Sequence, residues 1–423
     1  MRIVFYLLAF LIMPSCIFSQ QLSVTLKQCR DSAKINWPNF KKIALQEQNL
    51  EISTSTLNKN YLPKLTLSGS ATYQSEVVVF PEIDVPGLKG FFPTLPHDNY
   101  RTDLQLQQII YDGGNTKSAK DLQIAANQLD ETQVEIENYN LMEQINQLYL
   151  NILLLEQNNN IFLTAKSEIN ENIKFLQSAY NNGTVLISEL NKITAEELKI
   201  DKQLLDSKTS RLKLINSLAS ITGIDLNSET IFQAPREFQN APITIPQLKL
   251  FAAQEGINKA NLAMEFRAKF PKLSFFANGG FGRPGYNFMD TKLHPYGLVG
   301  VNLSWNIIDW GTYTKQKEKT VVNQKIIDAS KEVFVKQNNL EIQKIKNDIS
   351  NIRDQIVLDT KIIELKVNVK NSSWSKLQNG TITSNDYLKD FNDLKIAQQA
   401  LEINRIKLIQ KEITLNHLIG VQY

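Results

Sequence analysis

Glu189 and Asp386 are the residues of this 423-residue chain best placed for joint chemistry: each lies six positions after a glycine, Gly183 or Gly380, and the two sets stand 197 positions apart. Carboxylates held close together repel, raise one another's pKa and attract cations, so a ring of them could favour opening of a passage or bind a blocking cation. The competing reading is structural, because an acidic residue in the first turn of a helix is stabilised by the helix dipole. His97 and His294 share the 197 offset, but they are lone loop histidines, and no cysteine or acidic spacing joins them into a metal site. Asp112-Gly113-Gly114 lacks the Gly-Lys-Ser/Thr of a phosphate cradle and reads as a strand-to-helix junction, with Asp112 favourable near a helix start. The sequence contains no HExxH motif and no nucleophile elbow. No catalytic, cofactor-binding or metal-ligating residue is expected, and the chain does not read as an enzyme.

The elements that must position the two acids are themselves written twice. Asp112, Gly183 and Gly223 recur as Asp309, Gly380 and Gly420 at the same 197 offset. Ile145, Leu148, Ile152 and Leu155 likewise recur as Ile342, Ile345, Ile349 and Ile352. A repeat of about 200 residues is far longer than a solenoid unit and reads as a duplicated half-protein. Upstream, Leu62-Pro63-Lys64-Leu65 matches Phe270-Pro271-Lys272-Leu273 at 208, so the first copy carries eleven extra residues in a loop before Asp112.

No proline occurs between His97 and Ala234, or after Pro295, and long runs without breakers imply long helices. The organisation reads as a signal peptide over 1–19, a first repeat over 20–232, a linker over 233–246 and a second repeat over 247–423. The first repeat holds a helix, strands at about 64–73 and 101–111, and a helical hairpin over 115–222. The second holds a helix, strands at about 272–281 and 298–308, and a hairpin over 312–419. In the strands, Leu65, Leu67 and Ala71, or Val299, Val301, Leu303, Trp305 and Ile307, alternate with polar or small residues. Such alternation fits a lipid-facing side and an aqueous side, or equally a soluble sheet packed on helices. In the long helices, apolar positions from 145 to 176 follow the seven-residue repeat of coiled-coil packing, interrupted at Asn159 and Lys166.

Arg2 followed by the apolar run Ile3 to Met13, with Ile17-Phe18-Ser19 before Gln20, has the layout of a secretory signal peptide. Cys16 is a rival lipoprotein site, weakened by Pro14. Once the peptide is removed, Cys29 is the single cysteine, which excludes an intrachain disulfide. A formal charge of +3 gives no basic surface for nucleic acid. Mean hydropathy is −0.25, and no later segment is a helical membrane span, although a β-barrel hides from such averages.

In this order the motifs resemble the TolC-like outer-membrane efflux factors. The resemblance rests on Leu62-Pro63-Lys64-Leu65 entering a strand, and on Tyr111-Asp112-Gly113-Gly114 and Ile308-Asp309-Trp310-Gly311 leaving one. It also rests on two hairpin tips, Tyr180-Asn181-Asn182-Gly183-Thr184 with Glu189-Leu190, and Leu377-Gln378-Asn379-Gly380-Thr381 with Asp386-Tyr387-Leu388. It implies a mainly α fold with a small β part: internally duplicated coiled-coil hairpins and four strands per chain. A homotrimer would then form a twelve-strand outer-membrane barrel continued by a periplasmic α-helical tunnel. The implied role is a passive exit duct for tripartite efflux or type I secretion, with a periplasmic adaptor (membrane fusion) protein and an inner-membrane pump as partners, and outer-membrane lipid around the barrel. By the same resemblance Glu189 and Asp386 are gate candidates, and Gly183, Thr184, Gly380 and Thr381 contact the adaptor. Leu377 and Ile382 depart from the family's pattern, where tyrosine and arginine gate partners can stand. The alternative is a periplasmic coiled-coil scaffold or adaptor without a pore.

Overall fold

The computed structural model describes residues 23–80, 93–235, 241–242 and 245–422. The expected signal peptide over 1–19, Cys16, and parts of the linker and of the first copy's long loop lie outside the described residues.

The chain runs β1 (Ser23–Val24), α1 (Leu26–Asn36), α2 (Lys41–Asn58), β2 (Lys64–Tyr73), β3 (Asp98–Tyr111), α3 (Asn115–Asn181) and α4 (Ile187–Thr222). It continues with β4 (Ile231–Phe232), β5 (Ala241–Pro242), α5 (Pro246–Arg267), β6 (Lys272–Arg283), β7 (His294–Ser304), α6 (Thr312–Gln378), α7 (Ser384–Leu418) and β8 (Val421–Gln422). Local chemistry sets several ends. Thr25 and Gln28 form a reciprocal capping box on α1, and Trp37-Pro38 ends that helix. Gly223 closes α4 in the left-handed region at φ 70°. The two long helices, α3 and α6, each run 67 residues.

The chain divides into two compact units, one built from Met1–Phe40, Glu137–Ile245 and Lys336–Tyr423, the other from Lys41–Ile136 and Pro246–Val335. The first is helical. Cys29, Ala33, Ile145, Tyr149, Ile152, Ile215, Leu218 and Ile413 make one core, and the Tyr149 hydroxyl bonds the carbonyls of Val24 and Gln233 at 2.8 and 2.7 Å. β1 pairs with β4 in parallel, and β5 with β8 antiparallel. A second core joins the hairpin ends through Phe162, Ile169, Leu176, Leu190, Ile193, Leu377, Tyr387 and Phe391. Ile145, Ile152, Ile169 and Leu176 of the apolar seam are fully buried.

The second unit carries an antiparallel sheet in the order β2-β3-β6-β7. Trp305 and Ile307, expected inside the fourth strand, lie beyond it, because β7 starts at His294 and ends at Ser304. Alternation by itself does not terminate a ladder; pairing does, and the last pair is Ser304 with Lys272, the first residue of β6.

Candidate functional site

Each hairpin turns on a glycine at positive φ, 72° at Gly183 and 69° at Gly380, where a side chain would be strained. In both turns the following threonine repeats one geometry. Thr184 donates through its backbone N–H and its hydroxyl to the Ala179 carbonyl at 2.9 and 2.8 Å, and Thr381 does the same to Lys376 at 3.0 and 3.0 Å. A Cβ built on either glycine meets nothing within 4 Å, and Gly183, Thr184, Gly380 and Thr381 are all exposed.

The two acids behave differently. Asp386 sits in a capping box: its carboxylate accepts from the Thr383 backbone N–H at 3.0 Å and the Thr383 hydroxyl at 2.7 Å. These bonds hold its pKa below the ordinary value. α4 starts instead at Leu186, which offers no capping oxygen. Glu189 therefore turns to other donors, accepting from Lys192 at 2.9 Å and, across to the other hairpin, from the backbone N–H of Ser384 at 2.6 Å. Burial pushes its pKa up, but the bonds from Lys192 and Ser384 outweigh it and leave the group below its ordinary value. Within one chain the acids are thus held ionised, and each serves the start of α7.

Beneath the tips lies a buried polar knot that the sequence did not announce. The Tyr387 side chain is fully buried; its oxygen accepts from Asn172 at 2.6 Å and lies 3.4 Å from Glu168, which pairs with Lys370 at 2.6 Å. Further along, Lys395 of α7 and Glu196 of α4 form an ion pair at 3.2 Å whose side chains are 5 and 8 % exposed. One signal was available: Lys370 occupies the place that the seam residue Ile173 holds 197 positions earlier, and a lysine on an apolar seam needs an acid beside it. Leu377 is buried in the same core, with Ile382 packed against it.

In the sheet, the register lines up Leu67 with Leu104, Leu65 with Leu106, Phe275 with Val301 and Leu273 with Leu303. Through the Leu104–Gly279 and Leu106–Ala277 pairs these residues share one face across all four strands. That face is most exposed on the outer strands, with Leu67 and Val299 each at 71 %, while Leu106, Leu273 and Phe275 of the inner strands are half-buried. The opposite face carries Thr66, Ser68, Ser70, Gln105, Asn278 and Asn302, with Phe276 packed over Gly300, where a Cβ would come within 2.8 Å of its ring.

The junctions after the strands match their expected role. Asp112 accepts from the backbone N–H groups of Gly114 and Thr116 at 2.8 and 2.6 Å and from the Tyr61 hydroxyl at 2.7 Å. Burial opposes these bonds, but they lower its pKa to about 2. In the second copy Trp310 takes the place of Gly113 at φ 51° and is 92 % exposed. His97 and His294 are not brought together; His97 bonds the Gln74 carbonyl at 2.8 Å and His294 lies 3.1 Å from Asp290.

Residues 30–224, essentially the first copy, match the family model described as outer membrane efflux protein. No curated protein matches the sequence. Among solved structures the chain resembles the outer membrane protein VceC from Vibrio cholerae at 15 % identity and a TM-score of 0.68, covering 94 % of this chain and 96 % of that one. It resembles CusC at 14 % identity and 0.70, covering 93 and 92 %, and the CmeC outer membrane channel of Campylobacter jejuni at 16 % and 0.68, covering 93 and 85 %.

Proposed function

We infer that this chain, which belongs to the outer membrane efflux protein family, assembles as three copies into a passive, non-enzymatic exit duct across the outer membrane and into the periplasm. The observation that carries this reading is the apolar face shared by all four strands of the sheet, exposed at Leu65, Leu67, Leu104, Val299, Val301 and Leu303, with both edges, β2 and β7, lacking a partner strand among the described residues. An open edge and an uncovered apolar face are costly in water. Single-chain membrane barrels begin at about eight strands, and an eight-strand barrel is filled by its own side chains. Three copies supply twelve strands, enough for a lumen. α6 adds a second unpartnered surface in Leu340, Val357, Leu358 and Leu365, all exposed, which suits packing against a neighbouring copy. Trp310 and Trp305, exposed beyond the strand ends, suit the membrane–water boundary.

At the hairpin tips Glu189 and Asp386 are the proposed gate acids, six per assembly, and Gly183, Thr184, Gly380 and Thr381 the proposed contacts for a periplasmic adaptor that links the duct to an inner-membrane pump. The open space around both glycines supports such an approach. A pore-free periplasmic scaffold would need the sheet's apolar face covered, and it is bare.

The test is fractionation followed by reconstitution. The protein should sediment with the outer membrane, run in detergent at the mass of three copies and form pores in planar bilayers. Extraction as a soluble monomer would overturn the reading. Glu189→Gln with Asp386→Asn should change single-channel conductance or its block by divalent cations; unchanged traces would remove the gate assignment while leaving the duct.

A further inference from the structure

The sheet's polar face carries an uneven charge. Lys64 opens β2 and Lys272 opens β6, equivalent positions of the two copies, and the register places both on the face opposite the apolar one. Their cross-strand neighbours are neutral, Gln107 for Lys64 and Ser304 for Lys272, and neither lysine has a carboxylate partner among the described residues. Arg101 shares the face, its guanidinium 5.7 Å from the centre of the Tyr296 ring. The acid of the same strand faces is Asp103, and the Tyr296 hydroxyl already bonds it. The two lysines therefore stand without a carboxylate among the described residues, and the duplication gives them equivalent places at the openings of β2 and β6, while Arg101, level with Ser70 and Gly282, lies towards the other end of the sheet with Asp103.

We propose that Lys64 and Lys272 form a cationic collar inside the barrel that attracts anionic solutes and biases permeation toward them. The proposal rests on the duct reading above, since it takes the polar face as the lumen wall. Three copies would bring six lysines, one at the opening of each β2 and each β6, into a narrow, low-dielectric passage, where like charges focus the field and concentrate counter-ions.

The experiment is the reversal potential of the purified full chain in a neutral-lipid bilayer under a potassium chloride gradient. Replacing both lysines, Lys64→Gln with Lys272→Gln, should lower the chloride-to-potassium permeability ratio by at least about twofold, and Lys64→Arg with Lys272→Arg should restore it. Pores with an unchanged ratio in the glutamine variant would overturn the collar and leave the duct intact. A wild-type chain that forms no pores would overturn the duct itself. Should the glutamine variant fail to insert, inorganic triphosphate added to wild-type pores serves instead: block that weakens with rising salt is expected, and its absence overturns the proposal.

Discussion

At the first hairpin tip Leu186 leads into α4 with no capping oxygen and Glu189 reaches across to Ser384, whereas at the second Thr383 caps α7 and Asp386 folds back onto Thr383. The turns are otherwise alike, down to the glycine φ and the threonine bonds. The lesson concerns how a duplicated element becomes asymmetric. Losing one hydroxyl at a cap frees the acid three residues later, and the extra methylene of glutamate over aspartate lets it satisfy the neighbouring helix. The second tip then needs no partner to begin its helix, while the first tip's acid becomes a link between hairpins.

The largest disruption of that comparison should come from below the tips. Tyr387 stands where the first copy has Leu190 and is fully buried, so Tyr387→Ala should cost about 3–5 kcal/mol. Limited proteolysis should then cut both hairpin ends, and unchanged cleavage would show that the tips stand independently. Next in size is Glu189→Gln, which removes a charged acceptor from a backbone N–H and should cost about 1–2 kcal/mol after allowance for its partial exposure. Amide exchange at Ser384 should rise with this variant and rise less with Asp386→Asn, which frays only its own cap. Equal effects would mean that the two acids are equivalent after all.

Acid titrates the same link. Glu189 has a folded pKa below its ordinary 4.5, so its contribution is fully present above that value and is lost as the pH falls through the lower folded value. Ser384 protection should hold at pH 5 and above and decline only in stronger acid; loss near neutrality would contradict the assignment. The smallest expected effect is from Leu186→Thr. A new cap should stabilise the start of α4 by about 1 kcal/mol while drawing Glu189 towards it, so Ser384 should lose protection as the second tip's arrangement is copied onto the first.

Periodicity and punctuation made much of this fold legible. The 197 offset, the heptad seam through Ile145, Ile152, Ile169 and Leu176, and the alternation around Leu65–Leu67 and Val299–Leu303 are local patterns, because side-chain direction in a helix or strand follows residue spacing alone. Asp112 and the two tip glycines were readable for the same reason: each serves a turn within a few residues of itself. The sequence alone thus determined the duplication, the long hairpins and the presence of four strands, although it set the fourth one four residues too far along the chain. It left open which way the strands faced, because alternation serves a lipid-facing sheet and a helix-backed one alike, and the common face of β2, β3, β6 and β7 came only with the register. Tertiary structure likewise decided that Glu189 meets Ser384, 195 residues away, that Lys370 meets Glu168 and that Lys395 meets Glu196. A charge on a seam announces that it needs a partner, but nothing in its local spacing says which distant element will bring that partner within reach.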